Sequence, residues 1–192
     1  GSLNYIATRT RPDISYMVNN LCRFVSKPAK EHWEAAKRVL RYLKGTKCKG
    51  VQYSNSDDLV GYSDSNFAGD PEQRRSTSGI VFTMSGGPIS WKSQLQKSTA
   101  LSALEAEYQA LSLAAREATW LRQLLQETGY HDNSPIIVHG DNQGCQHVAS
   151  NRKTDARTKH IQVRHHFTRD KIEDGTILLK YLETKLMKAD FL

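Results

Sequence analysis

Leu59-Val60-Gly61-Tyr62-Ser63-Asp64-Ser65-Asn66-Phe67-Ala68 is the stretch on which the fold turns. Its aromatic and branched residues lie between a polar linker and a polar loop at 69–78, which predicts a strand. Asp64 sits inside that strand, between apolar Tyr62 and Phe67. Aspartate is depleted in strands, and in a central strand its charge needs a partner. Working outward, Gly79–Met84 and Ile89–Lys92 predict two more strands, split by the Gly86-Gly87-Pro88 turn. An antiparallel meander follows. A long helix is expected from Ser102 to Glu127, stopped at Gly129. Ile136-Ile137-Val138 is short and wholly apolar, as a buried parallel strand is. A short helix is expected from Asn142, a basic helix over 157–174, a strand over 176–182 and a terminal helix from Thr184. This order predicts an α/β fold around a mixed five-stranded sheet with flanking helices.

The 192 residues suit one or two domains. Apolar residues make up 38% and charged residues 24%, the composition of a globular chain rather than a disordered one. No apolar run approaches the ~20 residues of a membrane span. Cys22, Cys48 and Cys145 are widely and irregularly spaced, which argues against a disulfide framework or a zinc site and fits a reducing compartment. The charge is lopsided. Residues 1–56 hold 11 Lys and Arg against 3 Asp and Glu, whereas the remainder is nearly neutral. A basic helical segment over 1–56 is therefore expected ahead of a second unit over 57–192, with a polyanion as partner. In the basic segment Trp33, Ala36, Leu40 and Leu43 form one apolar stripe, and Gly50-Val51-Gln52-Tyr53 predicts a strand.

Four carboxylates occupy places where acids are unusual. Asp64 lies in a strand. Asp141 follows an apolar parallel strand at its carboxyl end, where open α/β sheets place their sites. Glu107 shares a helical stripe with Leu104, Tyr108, Leu111 and Ala115 and so points inward. Asp190 stands between Ala189 and Phe191. Any one of them can be a cap, a turn residue or half of an ion pair. Together they repel unless divalent cations neutralise them, and all-oxygen ligation favours Mg²⁺ or Mn²⁺. Glu105 is two residues from Glu107, ~200° around the helix, so one site cannot use both. Glu105 is expected to point sideways or outward.

Arg157, Lys159, Arg164 and Lys171 belong to a basic run that suits phosphate contact, with a solvated helix face as the alternative. Arg74 and Arg75 lie in the loop after the first strand, near where Asp64 emerges. Asn142 and Gln143 open a helix beside Asp141. They suit either sugar hydroxyls or N-capping. Trp33, Trp91 and Trp120 are most simply core.

Several of these runs carry a family likeness. Gly61–Gly69, Arg75-Ser76-Thr77-Ser78-Gly79, Ser90-Trp91-Lys92-Ser93, Ala100–Tyr108, Asp141-Asn142-Gln143, Thr158-Lys159-His160-Ile161 and Ala189-Asp190-Phe191-Leu192 resemble the ribonuclease H domain of copia-type retrotransposon reverse transcriptases. Thr10–Ile14 and His32–Thr46 look like the connection segment that precedes it. The resemblance implies a ribonuclease H-like fold and hydrolysis of the RNA strand of RNA–DNA hybrids. It implies two Mg²⁺ held by Asp64, Glu107, Asp141 and Asp190, and the polymerase part of the same polyprotein as a partner. A cytoplasmic particle or the nucleus is the implied setting. A histidine common in the wider fold between the last strand and last helix is missing from Leu182-Glu183-Thr184-Lys185-Leu186. No Tyr-x-Asp-Asp polymerase motif is present. A domesticated module that grips hybrids without cutting is the main alternative, and a DNA-processing nuclease of similar fold is another.

Overall fold

The computed structural model describes residues 1–55, 58–70, 73–130, 134–150 and 162–192, the side chains of 162–165 excepted. The expected boundary at 56/57 falls outside the described residues. Strands β1 (Val60–Asn66), β2 (Thr77–Met84), β3 (Gly87–Leu95), β4 (Ile136–Gly140) and β5 (Ile177–Tyr181) form one sheet in the order β3-β2-β1-β4-β5. β1 pairs antiparallel with β2 and parallel with β4, and β4 pairs parallel with β5. The mixed five-stranded sheet is thus as expected from the sequence.

Each face of the sheet has its own cover, because side chains alternate along a strand. Ile80 and Phe82 point to the face packed by helix α4 (Ala103–Glu127), where Tyr108, Leu111, Ala114, Ala115 and Ala118 meet them. Helices α5 (Gln143–Ser150) and α6 (Gln162–Glu173) extend the same layer through Cys145, Ala149 and Phe167. Each such Leu or Phe stabilises by ~1.5–3 kcal/mol when fully buried. The other face carries Tyr62 and Val81, and the segment after β5 lies across it. Met187, Ala189 and Leu192 of that segment are buried there.

That segment is not the expected helix. It makes one 3₁₀ turn at Thr184–Leu186 and then a further turn. Met187 and Ala189 are two residues apart, so a helix would place them on opposite sides. Both are buried on the sheet, and a non-helical path lets both face it.

In the basic segment, α1 (Ser2–Arg9), α2 (Ser15–Cys22) and α3 (Lys30–Gly45) enclose a small core of Ala7, Ile14, Val18 and Val39. Of the expected apolar stripe, Leu43 packs against this core. Val39 faces inward, while Trp33 and Leu40 are 63% and 51% exposed. Gly50–Tyr53 adds no strand to the sheet. It runs against the β2–β3 turn, where the Tyr53 hydroxyl donates to the Pro88 carbonyl (3.0 Å). Of the tryptophans assigned to the core, Trp33 and Trp120 are exposed. Trp91 is half-buried and donates its indole N–H to the Ala7 carbonyl at 2.7 Å. A second tie joins the segment to the sheet. Arg23 pairs at 2.7 Å with Asp70, whose side chain is 1% exposed.

Candidate metal centre

Asp64, Glu107 and Asp141 each offer a carboxylate oxygen, and these atoms lie within 4.8 Å of one another. Three elements deliver them. β1 and β4 run parallel, so Asp64 near the end of β1 and Asp141 just after β4 share the carboxyl edge of the sheet. Glu107 comes from the first turns of α4, which Ser102 caps by accepting the Glu105 N–H.

Strand alternation explains how two layers meet here. Asp64 stands directly opposite Gly79 and shares its face with Tyr62, toward the C-terminal segment. Ser65 therefore points to the other face, where α4 lies. Its Oγ–H and N–H donate to Glu107 at 2.8 and 3.2 Å, and the same N–H also reaches Asp64 at 2.8 Å. Ser65 thus links the two acids, and the sequence reading had passed it over. Thr184 is a second such residue. It stands in the stretch that lacks the family's histidine, and its hydroxyl donates to Asp141 at 2.7 Å. Only adjacency to Asp64 could have flagged Ser65; nothing local flags Thr184.

Asp190 lies outside the three-acid set and is exposed. Its charge nevertheless reaches Asp64. Its neighbours Ala189 and Leu192 are buried against the sheet. Gly79 makes that possible, since a Cβ there would meet the Ala189 carbonyl and the Leu192 side chain at 2.9 Å.

Burial pushes the Asp64 carboxyl above its ordinary range, and the charges of Asp141 and Asp190 push it the same way. Burial likewise pushes Glu107 up to about 8, helped by Asp64 and Asp141 and opposed by the Ser65 hydrogen bonds. Among the described residues no Lys or Arg pairs with the three acids. An all-carboxylate cluster of this kind fits a hard divalent cation such as Mg²⁺ or Mn²⁺.

Glu105 does not point outward. It is 7% exposed and accepts the Leu101 N–H at 2.8 Å. It is the third residue of a helix capped by serine, so its carboxylate turns back onto the chain before the cap.

The proposed phosphate contacts fare unevenly. Arg157 and Lys159 lie outside the described residues, as does the side chain of Arg164 in α6. Lys171 pairs with Asp174 at 2.6 Å, which neutralises much of its charge. Arg74 is exposed in a left-handed backbone conformation (φ 53°), and Arg75 is half-buried beside it. Asn142 uses its Oδ1 to accept the Cys145 N–H at 2.9 Å, the capping role. Gln143 is exposed on the first turn of α5.

Strand order, helical layer and clustered acids define a ribonuclease H-like protein. Solved structures agree on the fold. The N-terminal RNase H domain of a Mycobacterium tuberculosis protein aligns with a TM-score of 0.52, over 70% of this chain and 89% of that one, at 14% identity. RNase H1 of Halobacterium salinarum aligns at 0.50, over 69% and 90%, also at 14% identity. The retrovirus-related Pol polyprotein of the Nicotiana tabacum transposon TNT 1-94 is 44% identical over 193 residues, all of this chain and 14% of that polyprotein. That of transposon RE2 of Arabidopsis thaliana is 38% identical over 194 residues, again all of this chain and 13% of the polyprotein. Secreted RxLR effector protein 161 of Plasmopara viticola is 49% identical over 123 residues, 63% of this chain and 87% of that protein. The chain is thus homologous along its whole length to part of the retrovirus-related Pol polyproteins of plant transposons, which together with its fold is consistent with a copia-type ribonuclease H domain. It spans about one-seventh of the two polyproteins' length. No protein-family model matches it.

Proposed function

We propose that the chain hydrolyses the RNA strand of RNA–DNA hybrids during reverse transcription of a retroelement. The convergence of Asp64, Glu107 and Asp141 within 4.8 Å at the carboxyl edge of a ribonuclease H-like sheet carries this reading. These acids, with Asp190 on the adjoining segment, would hold two Mg²⁺. Bound there, the ions supply Lewis acidity toward the phosphoryl oxygens and acidify a water.

The chain's own residues set the geometry. Ser65 fixes the Glu107 carboxylate through two donors and thereby its distance from Asp64. Thr184 holds one oxygen of Asp141 and leaves the other to the ligand side. Burial of Glu107 and Asp64 disfavours their free charges, so the cluster favours a cation over bulk water.

The test is Mg²⁺-dependent cleavage of a labelled RNA–DNA hybrid, with double-stranded RNA and DNA duplex as comparisons. Asp64→Asn and Glu107→Gln are expected to lose about 10²-fold or more of the rate while hybrid binding persists. Glu105→Gln keeps most of it, because that side chain faces Leu101. Near-parental activity of Asp64→Asn would falsify the metal-centre reading. Hybrid binding by the parental chain with no cutting in Mg²⁺ or Mn²⁺ would favour the hybrid-binding alternative.

A further inference from the structure

We propose that Arg23 is a positioning residue of the site: through Asp70 it fixes the loop between β1 and β2 at the acid edge of the sheet, so that the basic helical segment governs how a hybrid is received there, an inference that rests on the reading just given. The strands that the loop joins pair at their ends through Asn66 and Thr77. Asn66 is two residues beyond Asp64, about 7 Å at the rise of a strand. A duplex whose phosphate reaches the acids therefore lies against this loop.

Asp70 organises the loop. Its N–H donates to the Arg75 carbonyl (3.0 Å), its carbonyl accepts the Arg74 N–H (2.9 Å) and its carboxylate accepts the Gln73 N–H (3.1 Å). The Ala68 N–H donates to the hydroxyl of fully buried Ser76 at 3.0 Å. Ala68 and Arg74 are held in left-handed backbone, at φ 50° and 53°, and Arg74 is exposed. A residue with a Cβ keeps that conformation only where its surroundings impose it. The Asp70 carboxylate is almost wholly buried, and Arg23 meets it at 2.7 Å. Stripping a buried carboxylate of its cation is costly, so the loop keeps its shape while Arg23 is in reach.

Arg23 is held from its own side as well. It follows the last turn of α2, with its guanidinium 5.6 Å from the centre of the Phe24 ring. Phe24 stacks at 4.0 Å on His32, in the first turn of α3. The pocket between α2 and the loop holds about 20 Å³, room for one water. A run of contacts thus leads from α3 to the acid edge. The acids themselves are braced elsewhere, by Ser65 and Thr184. Loss of Arg23 should therefore show in the binding of hybrid and not in turnover or the Mg²⁺ requirement.

The test uses the whole chain, below the melting temperature of every variant. Arg23→Met is compared with the parent, with the conservative Arg23→Lys, and with Val39→Ala, which loosens the core of the helical segment without touching Arg23. Arg23→Met is expected to raise KM for a hybrid about fivefold with kcat unchanged. Arg23→Lys should recover most of that, and Val39→Ala should keep the parental KM. Amide hydrogen exchange gives a readout independent of activity. In Arg23→Met the amides of Asp70, Gln73 and Arg74 are expected to exchange about tenfold faster, with Ile80–Phe82 unchanged. Unchanged exchange in the loop overturns the proposal. So does a parental KM in an Arg23→Met chain whose loop does exchange faster, or an equal rise in KM for Val39→Ala. A parental chain that neither binds nor cuts hybrid overturns the proposed function, and the positioning role with it.

Discussion

Ser65 sits between two acids with one backbone N–H and one hydroxyl, and the pair it serves is expensive without cations. Glu107 titrates near 8 in the fold, against an ordinary value of 4.5. A carboxyl raised in this way binds its proton more tightly in the native than in the unfolded chain. The stability tied to that proton is fully present below about pH 4.5 and is lost as pH rises through about 8. In chelator, Glu107→Gln is therefore expected to match the parent near pH 4.5 and to exceed it at pH 9. The gap in urea unfolding is on the order of a few kcal/mol. Mg²⁺ at pH 9 should narrow that gap by stabilising the parent. A gap of the same size at both pH values would show that Glu107 is not protonated by its surroundings. This residue was legible in the sequence because its stripe, shared with Leu111 and Ala115, had to face the sheet. Glu105 was not. Its burial follows from the bond to Leu101, which depends on where the chain before the helix turns back.

At the scale of elements, the site depends on how closely the segment after β5 can approach the sheet. Gly79, opposite Asp64, leaves that room. Gly79→Ala is expected to cost about 1–3 kcal/mol by overpacking, seen as a lower denaturant midpoint. It is also expected to weaken Mg²⁺ activation of cleavage, read as a higher Mg²⁺ concentration at half-maximal rate. A normal Mg²⁺ requirement in a destabilised variant would mean that the segment matters only for packing. The five strands and α4 were legible because each has an unbroken period and clear stops. The segment after β5 was misjudged as a helix because local propensity ignores the sheet face that Met187, Ala189 and Leu192 must cover. The stripe of α3 is borne out at Leu43 but not at Trp33 and Leu40. Trp33 and Leu40 look like core by residue type, but Val39 is the residue that meets α2.

Across the whole molecule, the basic helices are joined to the sheet by specific polar ties. Asp70 is the buried member of one, and it also accepts the Gln73 N–H at 3.1 Å. Arg23→Met leaves its carboxylate without that cation and is expected to cost about 3 kcal/mol in urea unfolding. Arg23→Met with Asp70→Asn should recover part of the loss, because the buried charge is gone. Additive losses would mean the ion pair carries no coupling. Thr184, Ala189 and Leu192 give a different kind of tie, one with an order in time. Synthesis runs from the amino end, so the residue that holds Asp141 and the segment that carries Asp190 leave the ribosome after all five strands. Until they emerge, the acid edge of the nascent chain lacks its last wall.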